Sequence, residues 1–200
     1  MTAAMHEAVR ILRDEHRSIS AVLSGLRELA RLAQRPGVRP DFAALRAMVY
    51  YIDTFPEKLH HPKEDEHLFA RLQQRAPEAA PLVGELQDEH VAGARLAREL
   101  ERAVLGYEQS WPKGGTAFRE TVEAYADFHW RHMRKEEQAL LALAQQRLTL
   151  EDWAAIAAAF RANADPLAGT AEHDFKRLFQ RIAELAPAPV GLGAPWRPVK

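Results

Sequence analysis

Cysteine is missing from all 200 residues. Its absence excludes disulfides, thiolate metal sites, iron–sulfur clusters held by this chain and cysteine nucleophiles, and it fits a reducing compartment. An excess of either charge is missing too: 27 Lys and Arg stand against 28 Asp and Glu, with a pI near 6.8. No global charge therefore favours nucleic acid or an anionic membrane as a partner. Long apolar runs are absent. No window approaches the roughly 18 uninterrupted apolar residues of a membrane span, and the opening stretch MTAAMHEAVRILRDEH lacks an apolar core of signal-peptide length. The expectation is a cytoplasmic protein with no nucleic acid and no membrane as partner. Alternating β-branched runs bounded by turns are also lacking, so no strand is expected.

What remains is an ordinary globular balance, 47% hydrophobic and 28% charged, in a chain long enough for one domain with a sizeable core. The distinctive feature is a pattern that occurs twice. Asp14-Glu15-His16 is repeated as Asp88-Glu89-His90. Downstream of each triplet lies His-x-x-x-Glu: His60 and Glu64 in HHPKEDEHLF, then His132 and Glu136 in HMRKEEQALL. The separation from His16 to His60 is 44 residues, and from His90 to His132 it is 42.

Apolar residues recur at three- and four-residue steps along most of the chain, the helical period. The first predicted helix spans about 5–34 and stops at Pro36-Gly37. The second starts after Pro40 with Asp41 as its cap and reaches about Arg75, interrupted at Pro56 and Pro62. The third opens at Ala76-Pro77, counts Val91 among its inward positions, and ends in the loop GYEQSWPKGG, residues 106–115. The fourth runs from Thr116 to about Leu148. Thr149 and Asp152 form a capping-box-like start for a fifth, which Asp165-Pro166 breaks. A sixth spans about 170–185, followed by a tail rich in Pro and Gly. The fold class is all-α: an antiparallel up-down four-helix bundle over residues 1–148, a two-helix extension over 149–185 packed on it, and an irregular tail over 186–200.

Residues i and i+4 of a helix project from one face, one turn apart. His60 with Glu64, and His132 with Glu136, can therefore point inward together, and His16 and His90 add one imidazole each from the other two helices. Four helices thus converge six ligands in two equivalent halves. Each carboxylate has two oxygens and can bridge two metals. Imidazole with carboxylate suits iron, zinc, manganese or nickel. A single His-x-x-x-Glu is commonly a solvated ion pair; the in-phase repetition is what points to metal.

These residues resemble the hemerythrin-like proteins, the HHE cation-binding domain family, over about residues 5–148. The resemblance implies a four-helix bundle holding a non-haem di-iron centre, two iron ions joined by an oxo or hydroxo group. It makes Glu64 and Glu136 the bridging ligands, and His16, His60, His90 and His132 the terminal ones. Another divalent metal is compatible with the same donors. Oxygen-carrying hemerythrins place a further histidine one turn after the third-helix histidine, where this chain has Ala94. The set of four histidines and two glutamates is closer to the iron-centre repair and stress-response branch. It implies an open position suited to peroxide or nitric oxide chemistry, or to iron donation.

Three further histidines are additional candidates. His129, one turn before His132, is a fifth nitrogen ligand or a partner of a ligand. His61 is expected to point about 100° away from His60, at a helix boundary. His67, three after Glu64, is expected at a boundary as well. His6 and His173 are expected at the surface. The rival ferritin-like arrangement needs Glu-x-x-His on two separate helices; Glu57-x-x-His60 and Glu64-x-x-His67 both fall on the second. Asp14, Glu15, Asp88 and Glu89 read mostly as solvated acidic turns, with a carboxylate bonded to the far nitrogen of a ligand histidine as the alternative. Three functions are compatible with this reading. One is a di-iron protein that senses, carries or stores O2, NO or iron in oxidative or nitrosative stress. Another is an enzyme that disproportionates peroxide or reduces nitric oxide. The last is an interaction protein stiffened by metal, homodimeric or with a partner on its C-terminal region.

Overall fold

The computed structural model describes residues 2–163 together with Glu184, Ala186 and Val190. Helix α1 is Ala3–Leu32. Helix α2 is a nearly continuous rod over residues 42–75, made of α-helical Phe42–Thr54, His61–Lys63 and Ala70–Arg75 with π-helical Pro56–His60 and Glu64–Phe69 between them. After a 3-10 turn at Pro77–Ala79 comes α3, Ala80–Ser110. Helix α4 covers residues 115–147: Gly115–Lys135, a π-helical turn at Glu136–Leu140, and Leu141–Arg147. Helix α5 is Leu150–Asn163. No strand occurs among the described residues, and none of their helices is long and apolar enough to cross a membrane.

The helix starts follow the predicted chemistry. Asp41 Oδ1 accepts from the backbone N–H groups of Ala43 at 2.9 Å and Ala44 at 3.1 Å, satisfying two donors that α2 cannot satisfy internally. Thr149 and Asp152 exchange reciprocal bonds: Thr149 N–H to Asp152 Oδ2 at 3.0 Å, and Asp152 N–H to Thr149 Oγ1 at 3.2 Å. Asp152 also receives Arg75 Nε at 2.7 Å, fixing the start of α5 to the end of α2.

Helices α1 to α4 close a ring in which each packs on the next and α4 returns to α1; α5 lies on α1 and α2. The interior is two apolar cores rather than one. The first holds Ile19 to Ala33 of α1 and its C-terminal turn, Phe42 to Ile52 of α2, Ala97 to Tyr107 of α3 and Phe118 to Met133 of α4. The second holds Met5 to Leu12, Leu68 to Ala76, Ala79 to Leu86, Leu140 to Leu148, and Trp153, Ile156, Ala157 and Phe160 of α5. Along each helix the order of the cores alternates, as the expected up-down topology requires. His16, His60 and His90 lie in the sequence gap between the cores on α1, α2 and α3, and His132 lies beside Met133 at the inner end of the first core on α4, so the pattern forms a polar layer across the middle of the bundle.

Three local expectations are corrected and a fourth lies almost wholly outside the described residues. Pro56 and Pro62 do not break α2, because the π-helical turns carry the backbone through: the N–H of His60 reaches Phe55 O at 3.0 Å, five residues back. Residues 106–110 belong to α3, not to a loop, and the link to α4 turns at Gly114, whose φ of 84° favours glycine. Val91 is 73% exposed; α3 turns its His90 face inward instead. The sixth helix and the tail lie outside the described residues except for Glu184, Ala186 and Val190; Ala186 is buried in the first core and Val190 packs on it.

Candidate metal centre

His16, His60, Glu64, His90, His132 and Glu136 come together in the polar layer, each 7% exposed or less. Both glutamates are the first residue of a π-helical turn, and His60 is the last residue of another. Such turns widen the helix locally and are frequent at functional sites. The carboxylate oxygens divide between the halves. Glu64 Oε1 faces His60 Nε2 at 3.4 Å and His16 Nε2 at 3.8 Å, while its Oε2 faces His90 Nε2 at 3.7 Å. Glu136 Oε1 faces His132 Nε2 at 3.3 Å and His90 Nε2 at 3.7 Å, while its Oε2 faces His16 Nε2 at 3.2 Å.

None of these approaches is a hydrogen bond. The four Nε2 atoms and all four carboxylate oxygens are buried without a hydrogen-bond partner. Buried polar groups left so are costly, and eight of them aimed at one space fit a cation. Neutral nitrogen and anionic oxygen together match a borderline to hard divalent metal.

The outer nitrogens of the same imidazoles are all engaged. His60 Nδ1 donates to Glu15 Oε2 at 2.7 Å, and His132 Nδ1 to Glu89 Oε2 at 2.9 Å. His16 Nδ1 donates to Glu137 Oε1 at 2.8 Å, and His90 Nδ1 to Asp65 Oδ2 at 3.1 Å. Each carboxylate orients its ring and leaves the Nε2 lone pair facing inward. Glu15 and Glu89 are thus not the solvated acidic turns favoured from sequence but the alternative, a carboxylate on the far nitrogen of an imidazole; each reaches across to the histidine of the next helix. Lys63 Nζ meets Glu15 Oε2 at 2.6 Å, and Lys135 Nζ bonds Glu89. A signal for all six partners was present: the repeat extends beyond the ligands, as Glu15 and Glu89 before the lone histidines and as Lys63-Glu64-Asp65 and Lys135-Glu136-Glu137.

Burial opposes charge on His90, yet its bond to Asp65 and the facing Glu136 and Glu64 push its pKa up to about 10. Burial opposes charge on His16 too, and Glu136, Glu137 and Glu64 override it, raising its pKa well above the usual imidazole value. Against burial, which would raise it, His132, His16 and His90 hold Glu136 well below the carboxylate range.

The additional histidines divide sharply. His67 is 27% exposed, its ring facing Glu66, and takes no part; His6 is exposed; His173 lies outside the described residues. His61 corrects its expectation: it is buried in the layer, stacked on His90 with centroids 4.3 Å apart. His129 is buried as well, but its Nε2 faces Glu57 Oε1 at 3.4 Å. Glu57 Oε2 faces His61 Nδ1 at 3.4 Å, and Tyr125 Oη donates to Glu57 Oε1 at 2.9 Å. Gly93 makes room for this group, since a Cβ there would lie 3.3 Å from the His129 ring. Burial pushes both His61 and His129 below the usual imidazole value, against the pull of Glu57.

A surface groove of about 580 Å³ between α1 and α4 reaches the layer at His16; Ser20, Trp130, Met133 and Glu137 are among its walls. No curated protein and no solved structure matches the chain. A family model does: hemerythrin, described as the hemerythrin HHE cation binding domain, matches residues 7–144.

Proposed function

Because the chain belongs to the hemerythrin HHE cation-binding family, we propose that its polar layer holds two iron ions and that the centre binds or reacts with a small oxidant or gas, namely O2, NO or peroxide. The observation that carries this reading is the division of each carboxylate: Glu64 and Glu136 both present one oxygen to the His16–His60 half and one to the His90–His132 half. Bound iron supplies Lewis-acid and one-electron chemistry at exchangeable coordination positions. The chain does the rest. Glu15, Asp65, Glu89 and Glu137 orient the imidazoles, and the two apolar cores keep bulk water from both sides of the layer. The groove at His16 gives a diatomic molecule or peroxide a path in. A role in oxidative or nitrosative stress, or in iron handling, follows from that chemistry.

The test is the absorption spectrum of iron-loaded protein before and after O2, NO and peroxide are added separately. At least one addition changes it. Steady oxygen evolution from peroxide, or continuous consumption of NO, assigns an enzyme; a stoichiometric change without turnover assigns a binding protein. A spectrum indifferent to all three additions contradicts the proposal.

A further inference from the structure

We propose that His61 is a fifth imidazole ligand of the centre, completing the His90–His132 half from helix α2, with Glu57 holding its ring in place. The inference rests on the di-metal reading above and adds an asymmetry that the six-residue pattern does not contain.

The geometry singles out His61. It is buried in the layer, and one ring nitrogen each from His61, His90 and His132 lie within 4.8 Å of one another. Two nitrogens each about 2.1 Å from a common ion stand about 3 Å apart at a right angle and about 4.2 Å apart across it, so a small inward movement brings all three onto one ion. His61 stacks on His90 at 14° and meets His132 edge-on at 81°. His129, the other buried candidate, stands behind His61, parallel to it at 2° with centroids 5.7 Å apart. Its Nε2 faces Glu57, and it belongs to no cluster of three or more donors among the described residues. Glu57 faces both His61 and His129 and accepts a hydrogen bond from Tyr125. It is a positioning residue, fixed by Tyr125 and touching no ion itself.

The repeat shows what the other half has instead. His61 follows His60; its counterpart after His132 is Met133, which lines the groove that reaches His16. One half therefore offers three imidazoles, and the other two imidazoles beside a thioether and an access path.

The experiment uses the full chain, metal-free and then titrated with zinc. In wild-type protein carrying specifically labelled histidine nitrogens, the His61 ring signals move to the metal-bound range as the second equivalent is taken up. Its failure is distinguishable from failure of the underlying reading. Wild-type protein that takes up less than one ion per chain overturns the di-metal reading; wild-type protein that takes up two while the His61 nitrogens keep their unbound shifts overturns this inference alone. The variant series adds affinity. His61→Ala, checked for folding by circular dichroism, is expected to weaken one of the two ions by about 10- to 100-fold or more, to regain it with added imidazole, and to leave the other ion unchanged. Glu57→Gln gives a smaller loss that imidazole does not rescue. His67→Ala changes nothing. If His129→Ala reproduces the loss and imidazole rescue while His61→Ala binds both ions as wild type does, the assignment is wrong.

Discussion

The two halves of the bundle carry the same inner histidines and glutamate on different supports. In the α1–α2 half, Lys63 is 2% exposed, pairs with Glu15 beside His60, and stands 5.1 Å over the Phe160 ring of α5. In the α3–α4 half, its counterpart Lys135 is 25% exposed and shares itself between Glu89 and Glu85 at the surface. Helix α5 makes the difference, since it covers α1 and α2. The inner chemistry is duplicated while the outer shell is not. In the α1–α2 half the outer ion pair is buried beneath an extra helix, while the groove between α1 and α4 still reaches His16; in the α3–α4 half the corresponding ion pair is partly solvated.

The strongest way to break this comparison is to remove what the halves share. Glu136→Ala or Glu64→Ala is expected to lose both ions together, read as metal content per chain after loading and desalting. Loss of one ion with the other retained would mean that the carboxylates are not shared. Next in size is the contrast in support. Glu15→Ala leaves Lys63 buried without its partner and is expected to cost about 3–5 kcal/mol, whereas Glu89→Ala leaves Lys135 half-solvated with Glu85 and should cost about 0–1 kcal/mol from the ion pair. Denaturant melts of the two metal-free variants make the comparison, and equal losses would remove the distinction between the shells.

Protons sharpen it further. A ligand imidazole must be neutral, and His90, at about 10, is protonated in the metal-free protein at neutral pH. Metal uptake at about pH 7.5 should therefore release protons into weak buffer, and apparent affinity should strengthen as pH rises toward 10. Affinity independent of pH between about 6 and 9 contradicts this. The same shift acts on the metal-free fold. A pKa raised above the unfolded value of about 6.5 stabilises fully below that pH, and the contribution is lost as pH rises through about 10. The effect expected to leave the centre untouched concerns α5. Asp152→Ala removes a cap and the Arg75 contact and should cost about 1–2 kcal/mol, with metal content unchanged; loss of metal would show that α5 supports the centre directly.

The bundle and its six inner residues were legible in the sequence because both rest on one rule. Apolar steps of three and four define the helices, and a His-x-x-x-Glu places two donors on one helix face. What escaped was of two kinds. His61 was assigned away from His60 on the rotation of an ideal α-helix, but His60 ends a π-helical turn, where each residue rotates less, so both rings turn inward. Glu15, Asp65, Glu89 and Glu137 were unreadable individually because their partners sit on neighbouring helices; only their recurrence in both copies marks them. Val91 was assigned inward on its spacing between Leu86 and Leu96, five residues from each, and stands in solvent.

The central claim is that two ions share two carboxylates inside one chain. Elemental analysis of the full chain, loaded anaerobically with ferrous iron and freed of excess, tests it most directly. Close to two irons per chain is the expected result, and a saturating value below one would contradict it.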